Sequence, residues 1–227
     1  MILAEDVLLL LIDDASGKPV VDTTRLDLAL AGGMLLDLAS SGRVDVAGPG
    51  QQVKAGRLLV CDDRSTGDSL LDEALRRVGA VGPRKPEKVL PALAKGLRKD
   101  LLLQLIEQGI LRDQQRRTLG IFPTHVWPAV DANHQRQLRA GLRDVFVVGR
   151  SPAPREAALV SLLHAIDQVP KVLGDVGIPA RELRRRAKDV AAGGFADQAV
   201  RRAVEAVTSA TTAAIVATVI ASGASGG

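Results

Sequence analysis

His164 and Asp167 are the residues of this chain whose types and spacing best suit acid–base chemistry. They stand three apart in Ser161-Leu162-Leu163-His164-Ala165-Ile166-Asp167, a spacing that shares one helix face. A carboxylate beside an imidazole could orient a base or contribute to a metal site. No further His or Cys stands near them at ligand spacing, and a closed metal site needs a full donor set. A structural, hydrogen-bonded histidine is therefore expected at 164, with no metal. The carboxylate pairs Asp13-Asp14, Asp62-Asp63 and Asp72-Glu73 are chain neighbours whose side chains diverge. The chain carries no phosphate-cradling Gly-rich loop and no Gly-x-Ser-x-Gly elbow. Cys61, the single cysteine, ends the apolar run Leu58-Leu59-Val60 and reads as a small buried hydrophobe. No catalytic residue and no cofactor is expected.

The basic residues offer a different chemistry. Lys95, Arg98 and Lys99 fall at helical spacing, Lys88 extends the stripe, and Arg84 and Lys85 precede it in a Gly/Pro-rich loop. A phosphorylated headgroup needs several converging cations, because each contact competes with salt and water. Arg grips phosphate through two parallel hydrogen bonds, and Lys acts as a point charge. A second set, Arg112, Arg116 and Arg117, falls at the tip of a predicted hairpin over 110–123. Arg184-Arg185-Arg186, Lys188 and Arg201-Arg202 read as exposed helix faces.

The elements that must position these residues are mostly helical. Residues 2–12 read as an apolar helix with Glu5 and Asp6 near its positive end. Thr23 or Thr24 is expected to cap a helix through Leu38, apolar on several faces and so deeply buried, with Gly42 as its stop. Gly32-Gly33 inside it predicts close helix packing. Arg43–Val46 and Leu58–Cys61 suggest a first hairpin. Asp68 or Ser69 caps the next helix, the loop Gly79–Pro86 follows, and one long helix is predicted over 87–108. A basic amphipathic segment spans 131–147, and most of the remainder is helical. The fold class expected is mainly α: a single-domain helical bundle with one or two short β-hairpins, over residues 1–221. A flexible Gly/Ser tail over 222–227 completes the organisation.

Composition narrows the function. The chain has 227 residues, 46% hydrophobic and 25% charged, enough for a sizeable core. The aromatic fraction is 2%, without tyrosine, so stacking platforms for nucleic acid are scarce and no nucleic-acid partner is expected. The net charge of +4 and a pI near 9.6 favour anionic surfaces. The lone cysteine agrees with a reducing compartment. No secretory signal is visible, because the first apolar stretch is short and follows acidic residues. The stretch Val207–Ala221 falls short of the roughly 20 residues that cross a bilayer and reads as a buried core helix, with a membrane-inserted tail as the alternative.

Three strings carry a family resemblance. They are Gly32-Gly33-Met34-Leu35-Leu36-Asp37-Leu38-Ala39 with Gly42-Arg43-Val44, then Thr66-Gly67-Asp68-Ser69-Leu70-Leu71-Asp72-Glu73-Ala74-Leu75, then Leu102 to Leu111. With the opening Leu3 to Leu10, in this order, the chain resembles the Golgi phosphoprotein 3 family of peripheral membrane proteins from about residue 2 to about residue 220. The resemblance implies a helical bundle with a protruding hairpin and a non-enzymatic adaptor that binds a phosphatidylinositol 4-phosphate-like headgroup. It carries two headgroup-binding basic residues onto Lys95 and Arg98. The family's tryptophan and further arginine would fall near Asp22 and on Ala31, so half of its pocket is replaced. Arg25, on the same helix, is a candidate substitute cation, with Arg84, Lys85 and Lys99 as accessory basic residues. The family's hairpin implies self-association through 110–123, with Arg112, Arg116 and Arg117 at its tip. The Arg-, Ala-, Leu-, Val- and Gly-rich composition resembles that of a high-GC bacterial genome. The expectation is then a cytoplasmic protein, peripheral on the inner face of a membrane. The alternative is a soluble protein-interaction scaffold that kept the fold and lost the lipid site.

Overall fold

In the computed structural model, which describes residues 1–14, 16–118, 122–193 and 198–224, helix α1 (Leu3–Leu10) is buried on every side. Glu5 and Asp6 are buried with it, in the first turn where the helix end carries partial positive charge. The Glu5 carboxylate accepts from the Ile2 N–H at 2.8 Å and so satisfies a donor freed by the helix start. Helix α2 (Thr23–Ser40) begins at Asp22, whose side chain accepts from the Arg25 N–H at 3.0 Å. Its apolar residues point all round, and it forms the centre of the bundle. α1, α3 (Ser69–Val81), α4 (Pro86–Ala94), α5 (Leu97–Glu107), α7 (Pro154–Ala165) and α10 (Gln198–Ala224) all pack on it.

Gly32 and Gly33 mark the closest approaches, as their sequence position predicts. A Cβ on Gly33 would lie 2.9 Å from the Ala4 Cα, and one on Gly32 would lie 2.8 Å from Leu162 and 3.1 Å from Val207. α1, α7 and α10 therefore close on α2 at one level.

Strands β1 (Val44–Val46) and β2 (Leu58–Val60) form the first predicted hairpin, with Val44 opposite Val60. Cys61 is exposed, contrary to its reading as a buried hydrophobe. β2 leaves the core as it runs: Leu58 is buried, Leu59 half-buried and Val60 exposed, and Cys61 continues that course past the strand end. The Thr66–Leu75 string is a capping assembly. Asp68 accepts from the Leu70 and Leu71 N–H groups at 2.9 and 3.0 Å. Asp72 accepts from the Ser65 and Thr66 hydroxyls at 2.6 and 2.7 Å and from the Thr66 N–H at 2.6 Å.

The predicted loop at 79–86 is shorter, because α3 runs to Val81. The single helix predicted over 87–108 is two helices, α4 and α5. Lys95 leaves α4 in an extended conformation and Gly96 takes φ +80°, which breaks the helical path. The Arg77 guanidinium donates to the Lys95 carbonyl at 2.8 Å and fastens the end of α4. Lys95 and Arg98 are therefore not on one continuous helix face.

The second hairpin, β3 (Gln114–Thr118) and β4 (Phe122–Val126), pairs Gln114 with Val126 and so reaches beyond the predicted 110–123. Its tip, 119–121, lies outside the described residues. Gly17, at φ +64°, packs backbone to backbone at the base of this hairpin: a Cβ there would lie 2.3 Å from the Trp127 main chain. α6 (Asn133–Arg143) runs into a π-helical turn at Asp144–Val148, and α7, α8 (Val169–Leu173), α9 (Ala180–Gly193) and α10 complete the chain. One contiguous apolar core runs from Ile2 to Ala210, and the described residues are mainly helical with two two-stranded sheets. α10 departs from the expected buried helix. Val207, Ala210 and Thr211 are buried, but Val216 and Ile220 are 51% and 66% exposed, because α10 outruns the neighbours that would cover it. It continues to Ala224, and residues 225–227 lie outside the described residues.

Candidate anion-binding site

Where α4 breaks into α5, the chain leaves a cavity of about 540 Å³. Leu8 and Ile12 line it from α1 and its exit, Leu102, Leu103 and Ile106 from α5, and Trp127 from the chain after β4. Gly96, Arg98 and Lys99 supply its polar part from the first turn of α5, and Asp27 faces them from α2. The N-cap of α5 is Gly96, and no side chain caps this helix start. Backbone donors and dipole at such a helix start favour an anion. His125 and Asp113 line the cavity from the hairpin side, 2.9 Å apart.

Arg98 is half-buried, and its Nε lies 3.5 Å from Asp27 Oδ1. That oxygen is buried and makes no hydrogen bond among the described residues. Burial raises the pKa of Asp27 above the ordinary carboxylate value, and the Arg98 charge offsets part of the rise. Arg98 is thus held near a carboxylate by charge and left with donors to spare, since a guanidinium has five.

The structure divides the basic residues singled out by sequence. Arg98 and Lys99 line the cavity together. Lys95 is exposed at the end of α4, three residues before Arg98 and outside the lining. Arg25 is drawn into an ion pair of 3.2 Å with Asp22. Asp22 itself serves as the N-cap of α2, and Ala31 is fully buried in the core. Arg84 and Lys85 lie at the opposite end of α4, where the Arg84 carbonyl accepts from the Leu58 N–H at 2.8 Å and Lys85 lies 3.7 Å from Glu87. Arg112 is exposed at the hairpin base, its N–H donating to the Pro128 carbonyl at 3.2 Å. Arg116 and Arg117 pair through the backbone with Thr124 and Pro123, and their side chains lie outside the described residues. Sequence reasoning missed Asp27 and Trp127. The signal for Asp27 was a lone charge inside Leu26-Asp27-Leu28 of a helix otherwise buried.

The His164–Asp167 pair does not assemble. Asp167 lies past the end of α7 at φ +55°, and its carboxylate takes Arg184 Nε at 2.6 Å. Burial lowers the pKa of His164, with Asp167 opposing and Lys188 reinforcing the shift. A second charged cluster centres on a carboxylate in the core, with partners that reach in from the surface. Asp6 receives His134 Nε2 at 2.7 Å and Arg155 Nη2 at 2.6 Å, linking α1, α6 and α7. Asp37 of α2 accepts from the Leu3 N–H at 2.6 Å, and its pKa is raised to about 6, chiefly by burial. Among the described residues no group of His, Cys, Asp and Glu is arranged to hold a metal, and no helix is long and apolar enough to cross a membrane.

The vacuolar protein sorting-associated protein 74 of Eremothecium gossypii is 27% identical over 163 residues, which cover 64% of this chain and 49% of that protein. The chain thus spans about half the length of this curated relative. The sequence pattern of Golgi phosphoprotein 3 (GPP34) matches residues 3–207, nearly the whole described bundle from α1 into α10. By that match, the chain belongs to the Golgi phosphoprotein 3 (GPP34) family.

Proposed function

We propose that this protein is a peripheral membrane adaptor that binds the phosphorylated headgroup of an anionic lipid, phosphatidylinositol 4-phosphate-like, and transforms no substrate. The observation that carries the reading is the cavity in which Arg98, Lys99 and the uncapped start of α5 face one solvent-open space. Apolar walls lower the local dielectric and strengthen a phosphate contact to Arg98, while Lys95 at the rim adds long-range attraction. Each basic residue near an anionic surface adds only about 1 kcal/mol, so binding is weak, reversible and salt-sensitive. Trp127, the only tryptophan, lies in the cavity wall and reports occupancy through its emission. Titration with a soluble inositol phosphate should change that emission, and vesicles containing the phosphoinositide should carry the protein in flotation. Lys95→Ala with Arg98→Ala should abolish both responses. Flotation that ignores lipid charge and this double change would refute the proposal.

Asp27 favours a second reading. A carboxylate already beside Arg98, with Asp22 and Ala31 where the family resemblance places a tryptophan and an arginine, suits a scaffold that kept the fold and gave up lipid. Capture of a defined protein partner, with no Trp127 response to inositol phosphate, would favour it. In either reading the hairpin at 110–126 is the proposed self-association element, with Arg112, Arg116 and Arg117 along it. The proposed location is the inner face of a membrane.

A further inference from the structure

The far end of α10 shares an end of the bundle with the cationic cavity. Arg202, near the start of α10, pairs at 2.9 Å with Asp45, which follows α2 in the chain. Further along, Val207 and Thr211 meet α2 at Gly32. α10 therefore runs antiparallel to α2, toward the α2 start. On the mean of these two contacts, at about 1.5 Å of rise per residue in each helix, Val216 comes level with Arg25 and Ile220 passes the start of α2 at Thr23. α4 reaches the same end, because it starts beside β2 and finishes where Arg98 meets Asp27. Lys95, Arg98 and Lys99 and an exposed apolar helix segment thus lie at one end of the molecule.

That segment has unusual chemistry for an exposed helix. After Glu205 the sequence carries no charged side chain. Val216 and Ile220 are open to solvent, with Ile215 only partly covered. The Thr218 hydroxyl donates to the Ala214 carbonyl at 2.9 Å, and Thr211 and Thr208 bond back to Val207 and Val204 in the same way. Of these, the Thr218 bond lies on the exposed segment, where it satisfies the hydroxyl on the helix itself and leaves that face less polar than its composition suggests. A soluble helix normally places charge on such a face. Among the described residues no helix, α10 included, is both long and apolar enough to cross a bilayer.

We propose that the part of α10 that carries Val216 and Ile220 forms an interfacial helix that lies in the headgroup–acyl boundary of an anionic bilayer, at the same end of the bundle as the Arg98 cavity. The occupant is lipid because Lys95, Arg98 and Lys99 lie on the same end as the apolar segment, which complements an anionic membrane. The inference rests on the lipid reading above. It adds a second, apolar anchor to a headgroup contact too weak to hold the protein alone.

The test uses the full chain with Val216→Ser and Ile220→Ser together, both exposed positions, checked for an unchanged melting temperature. The probes are phosphatidylcholine vesicles doped with phosphatidylinositol 4-phosphate, and soluble inositol phosphate read by Trp127. Vesicle binding should fall about tenfold, while the soluble headgroup response stays unchanged. Equal vesicle binding by variant and wild type, with the headgroup response intact, would overturn this inference alone. Loss of both responses in the wild type would overturn the lipid reading and this inference with it. A concentration-dependent dimer in the wild type that the variant loses, with flotation unchanged, would assign the surface to a second copy and reject lipid.

Discussion

The two charged regions of this molecule use similar residues to opposite ends. Around Asp6 the charges are closed upon each other: a fully buried carboxylate takes both His134 and Arg155, and Arg155 also donates to the Met1 carbonyl at 3.0 Å. Around Arg98 the charges are left open: the guanidinium has one carboxylate at 3.5 Å, whose own oxygen lacks a hydrogen-bond donor. A buried carboxylate with full pairing makes a fastener, and partial pairing at a cavity mouth leaves donors free for the proposed anion. The contrast shows why counting basic residues in a sequence does not locate a binding site. Arg155 and Arg98 differ in what surrounds them, and not in type.

Breaking the fastener should have the largest effect. Arg155→Ala leaves Asp6 buried with His134 alone and should cost about 3 kcal/mol of stability, measured by urea unfolding. A change below the noise of that measurement would place Arg155 among ordinary surface ions. Asp37 comes next. Its pKa is about 6 in the folded chain against an ordinary value near 3.8, so the native state holds the proton more tightly. For a carboxyl raised in this way, stability is greatest below the unfolded value and falls as pH rises to about 6, by up to about 3 kcal/mol. Asp37→Asn should remove that slope, so the variant gains on the wild type between pH 4 and 6, as read by melting temperature. A parallel pH profile for both proteins would contradict the assignment.

At the open site the effects move from folding to binding. Arg98→Ala should weaken the Trp127 response to inositol phosphate by about tenfold, with stability changed by less than about 1 kcal/mol. A large loss of stability instead would make Arg98 a fastener too. The smallest effect belongs to Asp27. Because burial raises its pKa, protonation on lowering the pH frees Arg98, and anion affinity should climb as the solution is acidified. Asp27→Asn should tighten binding severalfold at pH 7 and flatten that dependence. Unchanged affinity would mean that Asp27 does not compete for Arg98.

The Asp68 cap was legible in the sequence because it is local: a short acceptor precedes an apolar run and receives the N–H groups such a position leaves free. At α2 the cap is Asp22 and not the expected Thr23 or Thr24, because three short acceptors in a row serve equally well by type. Gly32-Gly33 was legible, like the Asp68 cap, since an interior glycine pair has few other uses. The break at Gly96 was not. A single glycine inside a helical pattern is tolerated, and here Arg77, far back on α3, holds the Lys95 carbonyl and so decides the matter. The cavity was less legible still. Leu8, Asp27, Arg98 and Trp127 come from four parts of the chain, and no local spacing encodes their meeting. The exposed stretch of α10 misled for a related reason: apolar composition predicts burial only if a neighbour is long enough to cover it.

Gly17 gives the hairpin a mechanical role. Its bare backbone bears on the Trp127 main chain, and the Gly17 carbonyl receives the Trp127 N–H at 3.4 Å, so no pliant side chain cushions the joint. The base of the hairpin is consequently pinned beside the cavity wall, and any side chain at position 17 would have to push the Trp127 backbone away from it.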